Sequence, residues 1–217
     1  MLTGIIDYGG GNLRSVTNAV AALGRPWRLV SSPGDTPGLD ALIFPGQGSF
    51  GDSVRNLQAA GLWDFVAGWV AADRPFLGIC LGYQILFDGG EESPGVAGLG
   101  VFPGQVVRFQ DAPGLKIPHM GWNLVSPTDP TDPLWAGIPA DPYFYFVHSY
   151  YPAPADPSLA GATTAYGIRF ASAIVRGNTV ATQFHPEKSQ SLGLKLLANF
   201  FARAESTLAP SPSANRS

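Results

Sequence analysis

Short apolar runs alternate with amphipathic segments in the first half of the chain. Residues 2–7 and 40–44 are predicted to form buried strands, and apolar residues recur at helical spacing over residues 12–23. A further helical region is predicted over residues 53–71, before a strand that ends at Cys80. Strands that alternate with helices indicate an α/β fold with an open, mostly parallel sheet flanked by helices.

The second half has a different pattern, in which short aromatic or β-branched runs are separated by Pro, Gly and Asp turns. These runs predict mixed or antiparallel strands that extend the sheet, at residues 101–109, 116–125, 143–150, 171–175 and 180–184. A last amphipathic helix is predicted over residues 191–204. We therefore expect a single domain over residues 1–204, followed by a Ser-, Pro- and Ala-rich disordered tail at 205–217.

The composition narrows the classes of function. With 217 residues, 45% of them apolar, the chain can bury a substantial core. Its formal net charge of -3 and its thirteen Lys and Arg residues, which form no dense run, argue against a nucleic-acid partner. No apolar stretch approaches the ~20 residues of a membrane span, and no signal-peptide pattern is present. We expect a cytoplasmic protein that binds neither nucleic acid nor membranes.

The single cysteine lies in a distinctive segment, Gly78-Ile79-Cys80-Leu81-Gly82, directly after an apolar run. Glycines two positions to either side leave room for a strained turn between a strand and a helix. The positive end of the following helix favours a thiolate over a thiol. The pattern predicts a nucleophile elbow, although a lone cysteine is also a common small core residue.

A cysteine nucleophile needs a histidine base and an acid that orients the imidazole. His185 follows the predicted strand 180–184, at the strand end where open parallel sheets place ligand-binding residues, and Glu187 is two residues further on. His119 and His148 are rival bases, since spacing alone does not exclude His148. Three dispersed histidines and one cysteine form no close-spaced ligand pair, so we expect no metal.

An acyl-transfer site also needs donors for the developing oxyanion, and the Leu81 N–H is one candidate. The Pro-Gly-Gln-Gly loop at 45–48 would reach the same rim of the sheet, although an ordinary tight turn is an equal alternative. The glycine-rich loop at 8–12 lacks the full dinucleotide fingerprint, because Arg14 stands where its last glycine would be. We therefore expect no nucleotide cofactor.

Together these motifs resemble a known family. Residues 78–84, 184–189 and 45–48 resemble the class I, or triad, glutamine amidotransferases. Residues 8–13, 98–100, 118–123 and 145–150 are further similar to the glutaminase subunits of imidazole glycerol phosphate synthases, from histidine biosynthesis. The resemblance covers about residues 2–203, and sibling families are not expected to carry the Pro-His-Met-Gly-Trp-Asn segment at 118–123.

The resemblance implies a glutaminase that makes glutamate and ammonia without a cofactor. Cys80 would attack the carboxamide of glutamine, His185 would transfer protons, and Glu187 would orient the imidazole. The resemblance also implies further site residues: Leu81, Gln47 and Gly48 at the oxyanion hole, and Gln84, Glu92, Ser149 and Tyr150 at the substrate.

The resemblance also implies a partner. Family members pass ammonia to a (βα)8-barrel cyclase subunit, and Asn12, Trp122 and Lys188 occupy positions that would face it. The chain departs from the family pattern at Gln47, where an aliphatic residue is common, and at Tyr83, where methionine is frequent. We expect Gln47 to change the resting activity, by altering how readily the loop turns its N–H into the site.

The sequence alone is also compatible with two other classes of function. One is another cysteine hydrolase on the same kind of sheet, such as a sibling amidotransferase subunit or a γ-glutamyl hydrolase. The segment at 118–123 speaks against it. The other is a non-catalytic binding subunit on the same scaffold, against which the joint presence of Cys80, His185 and Glu187 argues.

Overall fold

An eight-stranded sheet organises the chain in the computed structural model, which describes residues 1–10 and 13–208. In spatial order its strands are β2 (Trp27–Val30), β1 (Thr3–Ile6), β3 (Ala41–Phe44), β4 (Phe76–Ile79), β13 (Thr179–Thr182), β12 (Ile168–Arg176), β11 (Ala160–Tyr166) and β8 (Ser126–Pro127). The strands from β2 to β13 pair in parallel, and the pairs from β13 to β8 are antiparallel. The predicted α/β sheet with added antiparallel strands is confirmed.

Helices pack on both faces of this sheet. They are α1 (Leu13–Ala22), α2 (Phe50–Ala59), α3 (Trp63–Ala71), the short α4 (Leu81–Gln84) and α5 (Gln190–Leu208). Successive strand residues point to opposite faces, so Ile5 packs in the core cluster that contains the buried sides of α1 and α5. Its neighbour Ile6 packs in the cluster that contains α2 and α3. Two hydrophobic cores therefore hold the sheet between helical layers. Within the described residues, none of the helices has the length and apolarity to cross a membrane.

The helix boundaries differ from the prediction in two places. The region 53–71 is two helices, because Gly61 between them has a φ of 69°, which a helix does not continue through. Residues 205–208, predicted to be in the disordered tail, instead extend α5, where Glu205 forms an ion pair with Arg25. The rest of that tail, residues 209–217, lies outside the described residues.

The strands predicted in the second half do not all extend the main sheet. β10 (Tyr150–Pro154), β6 (Phe102–Arg108) and β5 (Phe87–Gly90) form a separate three-stranded sheet. β7 (His119–Leu124) and β9 (Tyr143–His148) form a two-stranded antiparallel ribbon. The predicted strand 143–150 is thus divided between β9 and β10, which pair with different partners.

The topology sets the position of the site. β3, β4 and β13 are neighbours and run in parallel, so their carboxyl ends meet at one edge of the sheet. The chain leaves these three ends at the 45–48 loop, at Cys80 and at the segment that leads to His185. Three motifs far apart in sequence are thereby brought to one place.

Candidate active site

Cys80 lies on a sharp backbone turn between β4 and α4. Its φ of 52° and ψ of -99° belong to a region that residues other than glycine rarely adopt. A Cβ on Gly78 would lie 2.4 Å from the Gly82 carbonyl oxygen, and one on Gly82 would lie 2.2 Å from the Phe44 carbonyl oxygen. The two glycines allow the backbone to pack this closely, as expected of a nucleophile elbow.

His185 and Glu187 form a buried pair in which His185 Nδ1 lies 2.8 Å from Glu187 Oε1. The His185 backbone is fixed as well, since its N–H donates to the Tyr145 carbonyl at 2.9 Å and its carbonyl accepts from the Ser189 hydroxyl at 2.6 Å. His185 Nε2 is buried and has no hydrogen-bond partner among the described residues. Because Nδ1 is occupied, Nε2 is the nitrogen left for proton transfer.

The charge of His185 reflects opposing influences. Burial lowers the pKa of the imidazole, whereas its interactions with Cys80 and Glu187 raise it. The interactions outweigh burial and raise the pKa of His185 to about 10. An imidazolium next to a sulfur atom favours the thiolate, which is the nucleophilic form. The structure thus places a charged imidazole, held by the Glu187 carboxylate, in the same cavity as Cys80.

The rival bases, His119 and His148, belong to a separate hydrogen-bond chain. The Tyr150 carbonyl can only accept, so His148 Nδ1 donates to it at 2.8 Å and His148 Nε2 accepts from His119 Nδ1 at 3.0 Å. His119 Nε2 then accepts from Asn123 Nδ2 at 3.2 Å. Burial lowers the pKa of His119 to about 4 and that of His148 to about 3. Both rings are neutral at pH 7 with both nitrogens occupied, so neither is placed to accept the Cys80 proton.

A glutamine pair connects this chain to the sulfur. Gln84 Nε2 donates to the Tyr150 carbonyl at 3.0 Å and to Gln183 Oε1 at 3.2 Å. The Gln183 Nε2 therefore faces Cys80, at 3.3 Å from Sγ. Gln183 is fully buried, and its amide is positioned to stabilise negative charge on the sulfur.

A cavity of about 470 Å³ opens at Cys80, a size suited to a small-molecule ligand. Its wall contains most of the residues that the sequence indicates, namely Gln47, Gly48, Cys80, Leu81, Gln84, Glu92, Ser149, Tyr150 and His185. The Glu92 carboxylate also accepts from the Phe50 N–H at 2.7 Å, which fixes it at the start of α2. Glu187 contacts the opposite nitrogen of His185 and so supports the site from outside the cavity wall.

The 45–48 loop packs tightly against the elbow. A Cβ on Gly46 would lie 2.2 Å from the Leu81 nitrogen, so the two predicted oxyanion segments are in contact. The Gln47 N–H, however, donates to the Tyr8 hydroxyl at 3.3 Å. In this structure the loop lies at the site, but its Gln47 donor is engaged elsewhere.

Comparison with known proteins identifies the family. The family model described as "Glutamine amidotransferase class-I" matches residues 4–204. The chain belongs to the class I glutamine amidotransferases. This amidotransferase is 50% identical over 209 residues to "Imidazole glycerol phosphate synthase subunit HisH" of Aromatoleum aromaticum, an alignment that covers 92% of this chain and 97% of the relative. A protein of the same name from Methylococcus capsulatus is 50% identical over 204 residues, which cover 90% of this chain and 94% of the relative.

Solved structures share the fold of this amidotransferase at lower sequence identity. A protein from Thermoplasma acidophilum, described as a GMP synthase subunit, superimposes with a TM-score of 0.72 at 21% identity, covering 96% of each chain. The structure of PurLQS from Thermotoga maritima gives a TM-score of 0.71 at 17% identity, covering 96% of this chain and 99% of that one. These similarities confirm the fold class.

Of the three residues predicted to face a partner, two lie among the described residues. Trp122 of the amidotransferase is 46% exposed and makes an edge-on ring contact with Tyr145, with centroids 6.1 Å apart. Trp122 is therefore a surface residue rather than a core aromatic. Lys188 is half-buried at the end of the short turn Pro186–Lys188. Asn12 lies outside the described residues.

Sequence reasoning missed two residues at this site, Gln183 and Tyr8. Gln183 carries a weak signal, since it precedes His185 by two positions in the segment that follows β13 and alternation favours the same side. The sequence around Tyr8 gives no signal that would place Tyr8 at the site, because its contact with the 45–48 loop arises from the pairing of β1 with β3.

Proposed function

We propose that this chain is the glutaminase subunit of an imidazole glycerol phosphate synthase. Its 50% identity to relatives of that name, over nearly their full length, supports this assignment. The observation that carries the chemistry is the buried His185–Glu187 pair, which shares a cavity with Cys80 on a strained elbow. The substrate would be glutamine and the products glutamate and ammonia.

In the proposed first half-reaction, the Cys80 thiolate attacks the side-chain carbonyl carbon of glutamine. The Leu81 N–H and a donor from the 45–48 loop stabilise the oxyanion that forms. His185 then donates its Nε2 proton to the leaving nitrogen. The C–N bond breaks, ammonia departs, and a thioester to Cys80 remains with neutral His185.

In the second half-reaction, His185 Nε2 takes a proton from water as the water oxygen attacks the thioester carbon. The C–S bond breaks, which restores the thiolate and the imidazolium and releases the side chain as a carboxylic acid, which loses its proton to solvent to give glutamate. Glu187 keeps Nδ1 protonated and stabilises the charged ring at each stage. The Gln183 amide stabilises the sulfur whenever it carries negative charge.

The amino-acid end of glutamine is assigned to the remaining cavity wall. The Glu92 carboxylate is suited to an ammonium group, and backbone groups of Ser149 and Tyr150 supply further polar contacts. Gln84, which bonds to the Tyr150 carbonyl, orders that part of the wall. The proposed substrate therefore has a charged recognition end and a reactive end within one cavity.

The proposed partner is a (βα)8-barrel cyclase subunit that consumes the ammonia. Exposed Trp122, half-buried Lys188 and Asn12 are the proposed contacts, and a cytoplasmic location is proposed for the complex. The name shared by the relatives, which describes a synthase subunit, supports assembly with another subunit.

Reconstitution with a purified cyclase subunit tests the proposal, with glutamate formation as the readout. The wild-type chain is expected to hydrolyse glutamine faster with the cyclase than alone. Cys80→Ala is expected to lower the rate by at least about 10³-fold, because removal of a nucleophile leaves little beyond binding and oxyanion stabilisation. Co-purification of Cys80→Ala with the cyclase is the control for folding.

Two results of this experiment would contradict the assignment. If Cys80→Ala still formed glutamate at the wild-type rate, Cys80 would not be the nucleophile. Efficient hydrolysis of γ-glutamyl peptides that does not respond to the cyclase would identify a γ-glutamyl hydrolase instead.

A further inference from the structure

The segment 118–123 contains two polar side chains, His119 and Asn123, that the proposed reaction does not use. Alternation along β7 puts them on the same side of the strand, where His119 is buried and Asn123 is half-buried. They begin a series of hydrogen bonds that continues through His148 to the Tyr150 carbonyl, which we call the histidine chain. The histidine chain ends at the cavity, since His148 and Tyr150 both line it.

The direction of the histidine chain is fixed at Asn123. The Asn123 amide oxygen accepts from the Leu124 N–H at 2.8 Å, and the amide nitrogen donates to the Ala165 carbonyl at 3.0 Å. These two partners leave only one orientation for the amide, because a backbone N–H can only donate and a carbonyl can only accept. Asn123 therefore donates to His119 Nε2, and the proton of a neutral His119 lies on Nδ1.

The other end of the histidine chain requires the same arrangement of protons. The Tyr150 carbonyl can only accept, so the proton of a neutral His148 lies on Nδ1, and its Nε2 accepts from His119. Protonation of either ring would place two N–H groups opposite each other. Burial keeps both rings neutral, since it lowers the pKa of His119 to about 4 and that of His148 to about 3. His119 also stacks on the rings of Phe146 and Tyr166, with centroids 4.6 and 3.9 Å away.

The Tyr150 carbonyl accepts from two buried side chains. His148 Nδ1 donates to it at 2.8 Å and Gln84 Nε2 at 3.0 Å, so both lone pairs of the oxygen are occupied. The two donors come from different elements, β9 and α4. A single hydrogen bond would leave the peptide group free to pivot about its acceptor oxygen, whereas two fix it. The histidine chain thus holds the part of the cavity wall that Ser149 and Tyr150 form.

We propose that His148 is a positioning residue that fixes the Ser149 and Tyr150 backbone for the amino-acid end of glutamine. His119 and Asn123 keep the His148 ring in the tautomer that this task requires. The inference rests on the proposed function and adds three residues to its substrate site. Because the reacting carboxamide lies at the other end of the substrate, the histidine chain should determine how tightly glutamine binds rather than how fast bound glutamine reacts.

His148→Leu tests the proposal, because it removes the donor and keeps a buried side chain. Glutamate formation is measured in the reconstituted complex with the cyclase subunit, over a range of glutamine concentrations. KM is expected to rise about five- to tenfold, as for the loss of one ordinary hydrogen bond, with kcat within about twofold. His148→Asn should return KM to within about twofold of the wild-type value, because its amide nitrogen takes the place of the ring Nδ1.

Alkylation of Cys80 by iodoacetamide, in the same complex, separates positioning from a general disturbance of the site. Iodoacetamide has a carboxamide but no amino-acid end. Its rate of reaction with Cys80 should therefore be the same in His148→Leu as in the wild type. If alkylation were slowed as much as KM is raised, the variant would disturb the whole site, and the proposal would be wrong.

Trp69→Phe is the matched control, since it also removes a buried ring N–H that donates to a backbone carbonyl, that of Pro75 at 3.0 Å. Pro75 directly precedes β4, whereas Cys80 directly follows it, so this contact lies at the opposite edge of the sheet from the cavity. KM and the alkylation rate should both keep their wild-type values. An equal rise of KM in Trp69→Phe would mean that lost stability, not positioning, explains the effect of His148→Leu.

NMR of the histidine ring nitrogens in the full chain is the second readout, because it reports which nitrogen carries the proton. At neutral pH, His119 and His148 should both be neutral and protonated on Nδ1. A His148 proton on Nε2 would overturn the histidine chain, and so would an unchanged KM in His148→Leu. A wild-type complex with no glutaminase activity would instead overturn the proposed function, which the wild-type measurement alone reveals.

Discussion

The Gln183 amide faces the Cys80 sulfur at 3.3 Å, and its orientation is fixed by Gln84. Hydrogen bonds to charged groups contribute about 1.5–3 kcal/mol, which corresponds to a factor of about 10–100. We predict that Gln183→Met, which keeps the side-chain length and removes the donor, lowers kcat/KM for glutamine by about 10- to 100-fold. Alkylation of Cys80 by iodoacetamide at neutral pH should also be slower, because the sulfur loses a donor that stabilises its negative charge.

Gln58→Met is the control, because Gln58 is exposed on α2. It should leave both the kinetics and the rate of Cys80 alkylation unchanged. If Gln183→Met kept full kcat/KM and an unchanged alkylation rate in a folded protein, the amide would have no electrostatic role at the sulfur.

At the scale of single residues, the sequence predicts those side chains whose positions are set by their neighbours in the sequence. The Gly-x-Cys-x-Gly segment predicts the turn at Cys80, and the spacing of His185 and Glu187 places a carboxylate on the imidazole. The contacts of Gln183 with Cys80 and of Tyr8 with Gln47 are not predicted, because they join residues that are 103 and 39 positions apart in the sequence. Such contacts arise from strand pairing, which local pattern does not specify.

The β7–β9 ribbon shows why a whole element can be predicted while its role is not. Alternation along β7 puts His119 inside, in the histidine chain, and leaves Met120 and Trp122 62% and 46% exposed. The sequence predicts both strands, but it does not show that they pair with each other outside the main sheet. Pairing partners in the antiparallel half depend on distant segments, whereas β3 and β4 of the parallel half are short apolar runs that are buried throughout and can be predicted directly from the sequence.

An exposed tryptophan beside an exposed methionine is typical of a protein interface. We predict that Trp122→Ala weakens the affinity for the cyclase subunit by about 30-fold, as expected of a central interface aromatic, and leaves the thermal stability of the isolated chain nearly unchanged. Titration of the cyclase, followed by the stimulation of glutamine hydrolysis, measures the effect.

Trp27→Ala is the matched control for that prediction. Trp27 is 39% exposed on β2, at the opposite end of the main sheet from the antiparallel strands. Its replacement should leave the affinity for the cyclase unchanged. Equal affinities for the Trp122 variant and the wild type would exclude the ribbon as a principal contact.

At the scale of the whole molecule, buried histidines make stability depend on pH. The pKa of His119 is lowered to about 4 and that of His148 to about 3, from 6.5 in the unfolded chain. The unfolded state therefore binds more protons below pH 6.5, and stability falls as the pH decreases from 6.5 toward 4. The raised pKa of His185 adds no alkaline counterpart near neutral pH, because the proposed imidazolium is paired with a thiolate, and moving a proton from the sulfur to the ring leaves the number of bound protons unchanged.

We therefore predict that the free energy of unfolding decreases as the pH falls from 6.5 to 4.5, with a slope of at most about 1.4 kcal/mol per pH unit for each proton involved. Urea unfolding at pH 4.5, 5.5 and 6.5 measures this decrease. His148→Asn should make the decrease smaller, because asparagine takes up no proton when the chain unfolds. The effect comes chiefly from the burial of the imidazole, which is the largest cause of the lowered pKa of His148. An equally steep decrease in a folded His148→Asn variant would mean that His148 is not a group that gains a proton on unfolding.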